Sequence, residues 1–542
     1  MSAPLLRAPP FPGVGPVDLT LAGESEAADP AALFARLRAA RVGGAFWAAP
    51  RGLATPAGRV LRPRDAADVA AWGEGPSDLW VAAKASRALH RALAGRGGLA
   101  PLDPWSALDG AEELLAHGDD EWVALARIAG VAVRVLSPGR YGAPGEDDPA
   151  LDRRAFRALT SAQYRDPFTG APATLDATID LLAEWRRIIE ANRGIVAACG
   201  MAWWKRAEIR RFLWSGGDDL RMTSGPGRAL GAARRRGGAL AIWPSRVSPA
   251  LLAQAGAQGV PLVRIEDGFV RSVGLGSNLV PPSSIVVDRG GIHFDPARPS
   301  DLETILTHTD FAANLLERAR MLRETIVAAG ISKYAADTAQ SPPRRGARRL
   351  VLVPGQVEDD MSVIAGGGGL RSNLELLRRA RGLEPDAEIW FRPHPDVDAG
   401  HRKGALPDGE VLQLADRIVR GGGMAPLLDT VDGVHVLTSL TGFEALMRGR
   451  DVTCHGTPFY AGWGLTRDLG PVPDRRGRAL ALDELVAGVL ILYPRYLDPV
   501  TGLPCPPEVL VARMAENRAH GRLPWLAPLR RLQGQWVARM KR

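Results

Sequence analysis

Short apolar runs separated by stretches of helical periodicity constrain this chain more than any other feature. They are Ala239 to Trp243, Pro261 to Ile265, Ser284 to Val287, Leu350 to Val353 and Val434 to Leu437. Each is too short for a buried helix and carries apolar side chains on both faces, as strands covered on both sides do in parallel sheets. A parallel neighbour can be reached only by a crossover, and the helical stretches between the runs supply it. The pattern predicts two α/β lobes of Rossmann type, with ligands bound beyond the carboxyl ends of the strands.

An internal repeat adds a second constraint. Tyr164-Arg165-Asp166-Pro167-Phe168-Thr169-Gly170-Ala171-Pro172 recurs as Tyr496-Leu497-Asp498-Pro499-Val500-Thr501-Gly502-Leu503-Pro504, with the Tyr, Asp, Thr, Gly and both Pro positions in register. Upstream of each copy, Trp122 to Tyr141 shows a fainter likeness to Phe443 to Tyr460. Two modules therefore end alike. A module counted from Ala239 to the second copy is longer than the segment before Tyr164, so the front copy reads as truncated. The expected domains are residues 1–195, a shortened module with a helical linker; 196–345, one lobe; and 346–542, a second lobe with C-terminal helices. A chain of 542 residues has room for several cores.

Three cysteines, Cys199, Cys454 and Cys505, lie far apart without zinc-ligand spacing, which predicts a reducing compartment and neither disulfides nor a metal site. The amino terminus lacks a signal-peptide pattern and no apolar run is long enough to span a bilayer, so a cytoplasmic location is expected. The net charge of +8 is compatible with nucleic acid, an anionic membrane surface or anionic substrates. The absence of zinc-finger and RNA-binding motifs argues against nucleic acid. Near the end, Trp525, Leu526, Leu529, Leu532, Trp536 and Met540 recur at helical spacing among Arg530, Arg531, Arg539, Lys541 and Arg542. Such a helix either lies on a membrane surface or docks on the protein.

Four segments place reactive groups directly after strands. In Arg264 to Ser277, Arg271 offers a planar fork suited to a carboxylate, and Gly274 and Gly276 would let backbone amides approach an anion; a structural turn is the alternative. Pro354 to Ser362 presents Glu358, Asp359 and Asp360, either a solvated loop or a source of a carboxylate that meets an oxocarbenium-like centre. In Trp390 to Asp396, two prolines fix the direction of His394, which could serve a leaving phosphate. Thr438 to Leu446 sets hydroxyls at a helix start, where they either cap the helix or bind phosphate. The front copy has Gly118, Asp119 and Asp120 at that place, and carboxylates there would repel phosphate.

Taken together, several phrases resemble the capsular polysaccharide β-Kdo transferases of the KpsC group over roughly residues 160 to 515. They are Glu266-Asp267-Gly268-Phe269, Gln356 to Ser362, Ser372 to Leu376, His394-Pro395-Asp396, Gly442 to Leu446 and Pro458 to Thr466. The resemblance implies a GT-B-like pair of Rossmann-like domains, here with a truncated, degenerate N-terminal module. The 196–345 lobe would be the acceptor side and the 346–542 lobe would bind the CMP-sugar. It implies a retaining enzyme that moves Kdo from CMP-β-Kdo to a (lyso)phosphatidylglycerol-linked Kdo acceptor, peripheral at the inner membrane and working with other capsule biosynthesis or export proteins. Asp360 would be the nucleophile, with Asp359 as the alternative match, and Glu266 the acid/base. His394, Pro395, Ser439, Thr441, Gly442 and Glu444 would hold CMP. Arg271, Arg392, Gly274 and Gly276 would meet the sugar carboxylate or phosphate, with no metal or other cofactor. Typical members carry two complete modules and alternate two linkages; with one intact module alternation is not expected here, and either a second enzyme supplies the other linkage or this one adds a single sugar. Competing readings are a non-catalytic capsule assembly or export factor and a transferase or epimerase using another nucleotide sugar.

Overall fold

The computed structural model describes residues 4–520 except 26–28, 53–55, 74, 76, 85, 96–100, 218–219, 272–280, 333–345 and 401. Gly274, Gly276 and the Trp525 to Met540 stretch lie outside the described residues. The chain forms two compact units, one of residues 1–194, 213–220 and 500–503, the other of 195–212, 221–499 and 504–542.

In the first unit, four parallel strands lie in the order Asp78–Trp80, Arg59–Leu61, Glu113–Ala116, Ala132–Val135. A small antiparallel sheet joins Thr20–Leu21, Gln163–Arg165 and Pro172–Ala173.

The second unit holds two larger sheets. One has the order Pro504–Cys505, Pro494–Leu497, Ser284–Asp288, Leu262–Asp267, Ala239–Ile242, Ile195–Cys199, Arg221–Met222. The other is parallel throughout, in the order Arg417–Ile418, Glu388–Arg392, Leu350–Pro354, Gly433–Val436, Asp451–Cys454, Arg467–Asp468. Val351, Val353, Ile389, Phe391 and Leu437 pack against Leu376, Leu377 and Ala380 of the Asn373–Leu383 helix, forming one face of its core.

All five apolar runs form strands, and the α/β class with parallel sheets is as expected. Ser284–Asp288 departs from the parallel pattern: it runs antiparallel to Leu262–Asp267, with Glu266 opposite Val286. No helix occurs among the described residues of the connection, 268–271 and 281–283.

The repeat has a structural counterpart. In the front unit the strand order, numbered along the chain, is second, first, third, fourth; the Glu388, Leu350, Gly433 and Asp451 strands show the same order. Each copy also closes on a buried tyrosine. Tyr164 donates its hydroxyl to Leu159 O at 2.9 Å, and Tyr496 donates to Leu490 O at 2.6 Å.

Among the contacts of the described residues that join the sheets of the second unit, two stand out. Phe269, just past the Leu262–Asp267 strand, meets Phe459 at 4.7 Å between ring centroids. Buried Arg476 pairs with buried Glu303 at 2.6 Å and donates to Pro458 O at 2.7 Å and Ala461 O at 3.1 Å. A buried ion pair is tolerated when its remaining hydrogen-bonding capacity is met, and here the guanidinium spends it on backbone carbonyls.

The parallel sheet also buries a histidine pair, His435 Nδ1 and His455 Nε2, 3.0 Å apart. Burial first, then the charges of Arg467 and Arg349, hold His435 near pKa 4; burial and the neighbouring imidazole hold His455 near 4. Glu384 stands 3.6 Å from His435 Nε2, too far for a hydrogen bond. The unfolded chain takes up these protons near pH 6.5, whereas the folded pair does so only near 4. Their contribution to stability is therefore full above about pH 6.5 and is lost as pH falls toward 4. Thermal melts across this window should show a steeper loss in the native chain than in a His435→Gln/His455→Gln variant; equal slopes would contradict the assignment.

Candidate functional site

The candidate residues of the parallel sheet gather on three adjacent strand ends. The centre is Gln356, two residues beyond the Leu350–Pro354 strand. Its side-chain oxygen accepts from the backbone N–H of Leu437 at 3.2 Å and of Thr438 at 2.9 Å, and its Nε2 donates to Thr438 Oγ1 at 3.0 Å. Asn373 holds the backbone of the same residue, accepting from Gln356 N and donating to Gln356 O, both at 2.8 Å. The loop after one strand is thereby tied to the turn after its neighbour.

The three consecutive acids go three different ways. Glu358 accepts from Asn373 N at 2.8 Å. Asp359 is exposed and pairs with Arg402 at 3.2 Å. Asp360, half-buried, caps the Met361–Gly366 helix, accepting from Ser362 N at 3.0 Å and Ser362 Oγ at 2.8 Å. Ser362 Oγ is in turn 3.5 Å from Thr438 Oγ1. Asp360 and the Thr438 turn thus belong to one polar cluster.

His394 occupies the next strand end. It caps the Pro395–Asp398 turn of helix, its Nδ1 accepting from Asp396 N at 3.2 Å. Its strand is clamped to the Gln356 loop, since Gly355 N donates to Arg392 O at 2.8 Å and a Cβ on Gly355 would lie 3.5 Å from His394 N.

On the other side of the cluster, Ser439 caps the Leu440–Leu446 helix, accepting from Thr441 N at 3.2 Å, and its hydroxyl meets Thr441 Oγ1 at 3.0 Å. Tyr460 anchors this turn by donating its phenol to Ser439 O. Gly442 is required by the same ring, because a Cβ there would stand 2.2 Å from the Tyr460 hydroxyl. Glu444 is buried one turn further along.

The Glu-Asp motif ends the Leu262–Asp267 strand in the other sheet. Asp267 lies between two cations, Lys205 Nζ at 2.8 Å on one oxygen and Arg271 Nε at 2.7 Å on the other. Burial raises the Asp267 carboxyl, but the Arg271 and Lys205 charges outweigh it and hold the group below the usual range. Burial also lowers the ammonium of Lys205. Gly268 is set by a close approach, as a Cβ there would meet Ser284 Oγ at 2.2 Å. Glu266, half-buried, accepts from Asp267 N at 3.0 Å.

Two expected cations are placed differently from the sequence expectation. Arg271 is 0% exposed and serves Asp267; Arg392, 8% exposed, donates to Gly421 O at 2.7 Å and Gly422 O at 2.6 Å. Both guanidiniums are turned into the fold because buried backbone and carboxylate oxygens need donors there. Sequence reasoning missed Lys205, and it gave Thr438 and Tyr460, which lie inside two of the quoted segments, no role of their own. The signal for Lys205 was its place just after the Ile195–Cys199 run, in Trp203-Trp204-Lys205.

A protein-family profile described as capsule polysaccharide biosynthesis protein matches residues 238–342 and 318–496. Among solved structures, the "beta Kdo 2,4 transferase" of KpsC from Thermosulfurimonas dismutans is 32% identical with a TM-score of 0.51, the match covering 59% of this chain and 98% of that one. The chain belongs to the KpsC-like capsule polysaccharide biosynthesis family. A second solved chain, titled "beta Kdo 2,7 transferase" of the same KpsC, is 35% identical over 59% of this chain and 99% of its own, with a TM-score of 0.49. The capsule polysaccharide modification protein LipA of Neisseria meningitidis is 40% identical over 63% of this chain and 48% of its own length. The lipopolysaccharide-processing protein LpsZ of Rhizobium meliloti is 47% identical over 44% of this chain and 54% of its own. The chain thus spans about half the length of the curated relatives it matches.

In this KpsC-like chain the Tyr460 ring is buried and cannot swing away from a larger residue at 442. Gly442→Ala should therefore cost about 1–3 kcal/mol of stability through overpacking. A lowered melting temperature checks this; an unchanged one would show that the helix start can shift.

Proposed function

We propose that this chain is a retaining glycosyltransferase that moves a β-Kdo residue from CMP-Kdo to a Kdo-bearing glycolipid in capsule synthesis. Family membership supports the reaction class, and the site supports the mechanism. The observation that carries the reading is the polar cluster in which Gln356 and Ser362 bring Asp360 beside the Thr438–Ser439 turn, with His394 on the adjoining strand end.

In the first step, an Asp360 carboxylate oxygen bonds to the ketal carbon of the sugar as the bond from that carbon to the phosphate oxygen breaks. CMP leaves with the electron pair. In the second, an acceptor hydroxyl oxygen attacks the same carbon, the bond to Asp360 breaks, and the hydroxyl proton passes to Glu266. Two displacements restore the starting configuration. The phosphate is a good leaving group without a proton, so Glu266 acts as base rather than acid. Asp360 takes the nucleophile's role over Asp359 because Asp359 points outward to Arg402. His394, Ser439 and Thr441 supply donors for the phosphate, and fixed donors suffice for its charge without a metal ion. Pro395 and Gly442 shape those two turns, and Glu444 supports the second from within its helix.

The direct test incubates the full chain with CMP-Kdo and a synthetic Kdo-lipid, with UDP-sugars as controls, and determines the anomeric configuration of the product. Transfer from CMP-Kdo alone, with a β-linked product, is expected. Asp360→Asn should lose roughly 10⁴-fold in kcat with an unchanged melt, and His394→Ala roughly 10²-fold. Full activity in Asp360→Asn, or glycolipid binding without turnover in the native chain, would overturn the reading.

A further inference from the structure

Between Glu208 and Glu266 the sequence holds nine arginines, no lysine and two acids, Asp218 and Asp219. That stretch carries a charge of +7 out of the chain's +8, so the rest of the molecule is close to neutral. In the fold it supplies the Arg221–Met222 edge strand, the Pro226–Arg236 helix and the Pro249–Ala257 helix of the second unit. Ala229, Leu230 and Ala233 of the first helix and Leu251 and Ala255 of the second share a core with Leu240 and Ile242. Those two strand residues lie two apart and therefore on one face, so both helices cover the same side of the sheet.

The outer sides of these helices depart from an ordinary solvated surface. Arg228, Arg234 and Arg235 are exposed on the first, with Arg221 on the edge strand and Arg246 in the turn before the second. None of the five makes an ion pair with another described residue. Exposed arginines elsewhere are held by acids, as Arg348 is by Asp416 and Arg420 by Asp398 and Asp408. The second helix carries no charged side chain: Ala250, Leu252, Ala253 and Gln254 are exposed, Leu252 at 38%. A helix facing water normally presents charged and polar groups on its outer side. Here cations without acids adjoin a small, apolar surface. That combination suits a bilayer interface, where arginines meet lipid phosphates and apolar groups leave water at the headgroup boundary. A nucleic-acid backbone would engage the arginines and leave the uncharged helix unused.

We propose that this face docks the chain on an anionic lipid bilayer, with the arginines on lipid phosphates and the Ala250 to Gln254 side against the interface. The choice of a bilayer rests on the reading that the acceptor is lipid-borne. The Arg221–Met222, Ala239–Ile242 and Leu262–Asp267 strands all run in the same direction within the sheet. The helix between the first two therefore begins at the sheet end where Glu266 and Asp267 lie, and Arg228 is in its first turn. A glycolipid in the docked bilayer is thereby presented at the end of the sheet that carries the Glu-Asp motif.

The test floats the full chain with vesicles of phosphatidylcholine alone and with phosphatidylglycerol added, at low and high salt. The native chain should bind the anionic vesicles only, and more weakly as salt rises. Arg228→Glu, Arg234→Glu and Arg235→Glu combined should weaken that binding about 10²-fold, and Leu252→Glu should weaken it with the arginines intact. Arg87→Glu, Arg91→Glu and Arg153→Glu, an equal reversal at exposed arginines of the first unit, should leave it within about threefold. If the first triple does not fold, Arg228→Gln, Arg234→Gln and Arg235→Gln make the same comparison. Turnover of a water-soluble Kdo acceptor should survive the reversal, while turnover of a vesicle-borne one falls. A native chain that ignores anionic vesicles, a reversal that leaves vesicle binding unchanged, or tighter binding to duplex DNA or RNA than to the vesicles would overturn the proposal. Charge-dependent vesicle binding by a chain that transfers no sugar keeps the docking face and sinks the transferase reading instead.

Discussion

One buried amide holds the site together. Strand ends of a parallel sheet diverge into separate loops, and a site built across them needs a cross-link. The Gln356 side chain provides it by accepting two backbone N–H groups from the neighbouring strand end and donating to the Thr438 hydroxyl. An aliphatic residue of the same size would leave those buried donors unpaired, at about 1–3 kcal/mol each. The rest follows from this tie. Asn373 fixes the backbone at Gln356, Ser362 links Asp360 to the Thr438 hydroxyl, and Ser439 begins its helix where Tyr460 holds it.

The second requirement is that the Glu-Asp motif of the other sheet be held in a defined place. Phe269 leaves that motif directly into the aromatic group containing Phe459 and His293, and Phe443 of the Ser439 helix also meets Phe459. Arg476 and Glu303 make a polar counterpart, bound to carbonyls of the loop that carries Phe459 and Tyr460. Of the phrases that carried the resemblance, Glu266 to Phe269, Gly442 to Leu446 and Pro458 to Thr466 meet through Phe269, Phe443 and Phe459, and Gln356 to Ser362 meets Ser372 to Leu376 through Asn373. Gly268 and Gly442 belong to them for reasons of space, each facing a side-chain oxygen where no Cβ fits.

Much of this was legible in the sequence, for identifiable physical reasons. The apolar runs became strands because a stretch buried on both faces has few other options. The repeated Tyr-x-Asp-Pro phrase marked a repeated closing hydrogen bond, since both tyrosines donate to a carbonyl shortly upstream. The direction of Ser284–Asp288 was not legible, because it depends on the connection and not on the strand. Nor were the fates of Arg271 and Arg392: an arginine after a strand reads alike whether it faces a substrate or a buried oxygen. Lys205 was hidden for the same reason, its partner Asp267 lying far along the chain.

The central claim is that Asp360 forms a bond to the sugar. Supplying the full-length chain with CMP-Kdo and no acceptor, then quenching and mapping peptides by mass spectrometry, tests it most directly. One Kdo mass on the peptide containing Asp360, localised to that side chain and discharged when acceptor is added, is the predicted result. An adduct on a different residue that is competent for transfer to acceptor would contradict the account.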